Sequence, residues 1–97
     1  MDTEQTADLE VRDVPAQSRF ELVDDGVVIG IADYSVRDGV AVMPHTVIDH
    51  DRRGQGLGDV LVAAAVAELA RRGLRIDAQC WFVFDYLNRN PGAAPAA

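Results

Sequence analysis

The chain has no lysine, one cysteine, one tryptophan, and no apolar run long enough to span a membrane. Each shortage removes a class of function. With Cys80 alone, neither an internal disulfide nor a multi-cysteine metal site can be built. His45 and His50 stand without ligand-spaced partners, so no structural metal is expected. A membrane helix needs roughly 18 consecutive apolar residues, and the N-terminus lacks the basic and apolar regions of a signal peptide. A cytoplasmic protein with no membrane partner is the expectation. All positive charge comes from arginine and the net charge is −7, which argues against nucleic-acid binding driven by phosphate neutralisation. Such acidity either serves solubility or favours a cationic acceptor such as an amine, and composition leaves both open.

What is present is a globular composition. Apolar residues make up 48% of 97, enough for one domain and one core over 1–97. The polar start (1–10) and the small-residue end (92–97) are expected to fray, and a monomer is expected. Asp24-Asp25-Gly26 and Arg37-Asp38-Gly39 each separate two β-branched runs, the strongest short-range hairpin signal. They predict an antiparallel meander with strands near 18–24, 27–36 and 39–49, and a shorter strand over Leu9–Val14 ended by Pro15. Pro44 cannot donate to a ladder and should mark a bulge or a break in pairing.

Beyond residue 56 the period changes. Leu57, Val60, Leu61, Ala64, Ala65 and Leu69 recur at helical spacing in an alanine-rich stretch. Arg71 and Arg72 suit the last turn, and Gly73 supplies a left-handed stop. Leu74–Gln79 reads as a strand, and Trp81 to about Asn90 as a second helix ended by Pro91-Gly92. The predicted order is β-β-β-α-β-α, an α+β domain.

Between strand and helix lies Arg52-Arg53-Gly54-Gln55-Gly56-Leu57-Gly58, with glycine at alternate positions. Glycine allows close backbone approach and positive φ. Successive amides at a helix N-terminus attract phosphate, and two arginines add donors. A P-loop would end in Gly-Lys-Ser/Thr, whereas Gly58-Asp59 has neither lysine nor hydroxyl. Asp77 lies where a ribose-binding acid would follow a dinucleotide loop. The third glycine of that fingerprint nevertheless falls on Asp59 or Leu61, and no further βαβ unit follows.

Arg53, Gly56 and Gly58 meet the pattern Arg/Gln-x-x-Gly-x-Gly/Ala, which resembles the pyrophosphate loop of the Gcn5-related N-acetyltransferases (GNAT superfamily). His45-Thr46-Val47, that loop, Arg72-Gly73-Leu74, then Cys80 and Tyr86 ahead of Asn90-Pro91 resemble its small single-domain branch. The likeness covers about Phe20 to Pro91. Trp81, Asn90 and His50 depart from residues common in the family, changes that leave the CoA grip untouched and bear on the acceptor side. The resemblance implies acetyl-CoA as ligand and an amine acceptor. Arg52, Arg53, Gly54, Gln55, Gly56, Leu57 and Gly58 would hold the diphosphate, and backbone near Val47 and Ile48 the pantetheine arm.

Three catalytic candidates follow. Cys80, at a strand end before a helix N-terminus, is either a buried structural thiol or an acyl-accepting nucleophile. His45 is either a general base, for an amine or for Cys80, or a histidine held by hydrogen bonds. Tyr86 either packs or, by the resemblance, protonates the departing CoA thiolate. Trp81, Phe82 and Phe84 read as core and rim. Two functions compete: an N-acetyltransferase, and a CoA-binding sensor or interaction module without turnover.

Overall fold

The structure, a computed structural model, describes residues 9–97. Residues 1–8, part of the segment expected to fray, lie outside the described residues, while Leu9 and Glu10 open the first strand. Strands β1 (Leu9–Val14), β2 (Arg19–Asp24) and β3 (Val27–Asp33) form an antiparallel meander. There follow β4 (Ser35–Arg37), β5 (Val40–Met43), β6 (Thr46–Ile48), helix α1 (Leu57–Arg71), β7 (Arg75–Ala78) and helix α2 (Trp81–Arg89). The architecture is α+β, as expected. Two 3-10 turns, Pro15–Gln17 and His50–Arg52, complete the connections.

The predicted strands 27–36 and 39–49 are each two strands, because both change sheet midway. One sheet has the order β1-β2-β3-β6 and the other β4-β5-β7. In the first of these long strands the break falls at Tyr34. Its ring is buried 5.0 Å from that of Phe20, its hydroxyl donates to Asp13 Oδ1 at 2.7 Å, and its amide donates to Ser18 O at 3.0 Å. In the second it falls at Pro44-His45, where proline supplies no amide hydrogen. The His45 carbonyl accepts from Asp33 N at 2.9 Å, so the two breaks lie side by side.

This double break opens the molecule. β5 runs parallel with β7 from Val40↔Arg75 to Met43↔Ala78, and Gln79 N donates to Met43 O at 3.1 Å. Past that point β6 pairs with β3 only, from Ala32↔Thr46 to Gly30↔Ile48. The strand before the loop and the strand after α1 therefore diverge.

α1 lies against both sheets. Leu61, Val62, Ala65, Val66 and Leu69 are buried on its inner face against Phe20, Leu22, Ile29 and Ile48 of one sheet and Met43 and Ile76 of the other. The alanines keep the helix close to the strands. Truncating a fully buried leucine such as Leu61 in a close-packed core costs about 2–5 kcal/mol. The end expected to fray is instead paired beside β7: Ile76 N donates to Pro95 O and Ala97 N to Ile76 O, both at 2.9 Å. Backbone hydrogen bonds that complete an open strand edge account for the difference.

Candidate functional site

A cleft of about 550 Å³ opens between β6, the loop that follows it and the first turns of α1 and α2. β6 supplies Thr46, Val47 and Ile48. The following loop supplies Arg52, Arg53, Gly54 and Gly56, and the first turn of α1 supplies Leu57, Gly58 and Asp59. Phe82, from the first turn of α2, forms the facing wall. Eight of the nine binding candidates thus line one cleft. Gln55 is exposed and is not part of the lining.

The alternate glycines are required for different reasons. Gly54 and Gly56 have φ of 82° and 74°, a left-handed conformation that a side chain strains, and both face open space. Gly58 has an ordinary backbone, but a Cβ there would lie 2.4 Å from Phe82 Cε1. Two glycines shape the loop, and the third lets α2 sit against α1. Gly56 is the N-cap of α1, and no side chain caps it. The first amides of a helix carry the positive end of its dipole and lack intrahelical acceptors.

The arginines are held by protein groups. Arg52 Nη1 lies 2.7 Å from Oδ2 of Asp24, the last residue of β2. Arg53 Nε donates to Ile48 O at 3.2 Å, tying the loop to the last residue of β6. Across the cleft, Asp59 accepts both terminal nitrogens of Arg89, at 2.8 and 3.1 Å, and this pairing raises the pKa of the guanidinium above its ordinary value.

The catalytic candidates are dispersed around the cleft, not within its lining. Cys80 is the N-cap of α2, half-buried, with Sγ 3.3 Å from Thr46 Oγ1. Through Thr46 it adjoins the cleft. His45 is exposed, its Nδ1 3.5 Å from Asp33 Oδ2, and among the described residues no hydrogen bond joins it to Cys80. Adjacent residues of extended chain point to opposite sides, so when Thr46 faces Cys80, His45 faces away. Tyr86 is half-buried and packed against the core.

Sequence reasoning passed over Thr46, Asp59 and Arg89, and took Phe82 for core and rim. Asp59 carried a readable signal, being the third residue of a helix that follows a phosphate-type loop. Thr46 and Arg89 carried none, because their partners lie 34 and 30 residues away.

The two sheets and the loop-helix unit are similar to those of solved GNAT N-acetyltransferase structures. A GCN5-like putative N-acetyltransferase from Staphylococcus aureus superposes with a TM-score of 0.67 at 24% identity, over 90% of this chain and 85% of that one. The ribosomal-protein-S18-alanine N-acetyltransferase from Escherichia coli gives 0.63 at 24% identity, over 76% of this chain. The match spans half of the E. coli protein's length (50%). No curated protein matches the sequence. The family model described as GCN5-related N-acetyl-transferase matches residues 19–95, and the chain belongs to that family. No helix among the described residues is long and apolar enough to cross a membrane.

Proposed function

We propose that this protein binds acetyl-CoA in the cleft and transfers the acetyl group to an amine. The observation that carries the reading is the cleft's two unlike ends. One end has uncapped amides at the start of α1, beside positive-φ glycines and arginines, which suits a diphosphate. The other runs along β6 to Thr46, whose hydroxyl contacts Cys80. A diphosphate joined to an extended thioester arm has that polarity.

In this reading Arg52, Arg53 and the amides of Gly54, Gly56, Leu57 and Gly58 hold the diphosphate. Of the backbone groups near Val47 and Ile48, those of Thr46 and Ile48 face the free side of β6 and would hold the arm by strand-like hydrogen bonds, whereas those of Val47 pair with Ile31 of β3. Acetyl-CoA supplies a thioester: its C–S bond breaks, a C–N bond forms to the amine, the amine loses a proton and the sulfur gains one. Cys80, which contacts Thr46, accepts the acetyl group before the amine does in the two-step form of this reading, its thiol losing the proton that the CoA sulfur gains. His45 serves as base only toward an amine approaching from solvent, not toward Cys80. Tyr86 stands as the proton donor that the resemblance names.

A non-catalytic CoA-binding module is the second reading. It is favoured by the absence of Cys80, His45 and Tyr86 from the cleft lining. Calorimetry with CoA tests the shared claim, and thiol release from acetyl-CoA in the presence of peptide amines or a polyamine separates the two. Binding with turnover supports the transferase, and binding without turnover with any amine supports the module. No binding of CoA overturns both.

A further inference from the structure

Asp59 is the third residue of α1, a position from which an acidic side chain commonly reaches back to cap the helix's own first amide. Here no side chain caps Gly56, and both Asp59 oxygens are engaged elsewhere. Arg89 Nη2 donates to Oδ1 at 2.8 Å and Nη1 to Oδ2 at 3.1 Å, a two-pronged pairing of fork to carboxylate. Asp85, one turn earlier on α2, accepts Arg89 Nε at 3.0 Å and so aims the fork. The arrangement draws the carboxylate toward α2. It also neutralises the one acidic side chain that lines the cleft among the described residues.

We propose that Arg89 is a positioning residue for an anionic ligand, acting through Asp59: it keeps the N-terminal amides of α1 available and cancels a charge that would repel the ligand's phosphates. The inference rests on the coenzyme reading above. Without the arginine, the Asp59 carboxylate folds onto the amides that the diphosphate needs and leaves an uncompensated negative charge beside them. Both effects weaken binding. An indifferent tether between α1 and α2 would do neither.

Calorimetry with CoA, and with pantetheine as a probe lacking the diphosphate, tests this on the native chain, Arg89→Gln, Arg89→Lys and the double variant Asp59→Ala/Arg89→Gln. Arg89→Gln is expected to raise the Kd for CoA roughly 5- to 10-fold at about 0.05 M salt, with a smaller effect at higher salt. Arg89→Lys retains the charge and stays within about 3-fold of native. The double variant recovers to within about 2-fold, because removing the carboxylate removes the competitor. Pantetheine binding is the same in the native chain and Arg89→Gln. The pair is half-exposed, so every variant keeps a cooperative melt. An unchanged Kd in Arg89→Gln, or a double variant no tighter than the single, overturns the inference while leaving the coenzyme reading intact. Failure of the native chain to bind CoA overturns both.

Discussion

Thr46 and Cys80 face each other across the divergence of β6 and β7, with Oγ1 3.3 Å from Sγ. This contact bridges the two strands beyond their last pairing, and it places the chain's one thiol beside the cleft. After incubation with acetyl-CoA, the intact mass of the native protein should rise by one acetyl group, and that of Cys80→Ala should not. An adduct that persists in Cys80→Ala would assign the acetyl group elsewhere. Thr46→Val, which keeps the strand shape and removes the hydroxyl, should slow adduct formation several-fold while costing about 1 kcal/mol of stability or less.

Gly56 and Gly58 should respond differently to the same substitution. At Gly56 alanine must adopt φ near 74°, a cost of about 1 kcal/mol that lowers the melting temperature by roughly 4–8 °C. No second-site change restores it. At Gly58 the new methyl meets the Phe82 ring, so the loss should shrink when Phe82→Ala is combined with it. A double-mutant cycle that is additive at Gly58 would rule out the contact as the cause.

Tyr34 links the fold to pH. Burial, then the hydrogen bond to Asp13, raises its pKa above the ordinary value of 10.0. A folded-state pKa above the unfolded one gives stability that is complete below pH 10 and lost as pH rises through the folded value. Alkaline unfolding should therefore be steeper in the native chain than in Tyr34→Phe. The variant should itself lose about 1 kcal/mol at neutral pH, because Asp13 keeps only its Arg72 partner. Parallel alkaline transitions in the two proteins would refute this.

Removing residues 95–97 should expose the outer edge of β7, which Pro95 and Ala97 now pair through Ile76. The expected result is concentration-dependent association seen by light scattering, with a small change in melting temperature. A truncated chain that behaves like the native one in dilution series would show that the edge is protected by other means.

The features that were legible in the sequence are those set by neighbouring residues. Asp25-Gly26 and Asp38-Gly39 all have positive φ, from 51° to 83°, the backbone that Asp-Gly favours in two-residue hairpin turns. α1 begins at the predicted Leu57 and ends just before the predicted Gly73 stop, since its apolar period and its glycine act over a few residues. The sheet change at Tyr34 was not legible, because the groups that hold its ring, hydroxyl and amide belong to Phe20, Asp13 and Ser18 of other segments. The Arg89–Asp59 and Cys80–Thr46 pairs were hidden for the same reason: nothing in local spacing says which distant partner a side chain meets. The left-handed backbone of the glycine loop was legible, whereas the partners of its arginines were not. Asp24 and the Ile48 carbonyl, which engage them, come from other segments.

Because β6 is held to β3 by main-chain hydrogen bonds, and the loop after it is tied back through Arg52 to Asp24 and through Arg53 to the Ile48 carbonyl, that side of the cleft is fixed by the sheet. A guest that fits such a slot gives up its own flexibility but asks none of the host. In the coenzyme reading, affinity should then track the rigidity of the guest, and a shortened or stiffened pantetheine arm becomes the sharpest ruler for the opening.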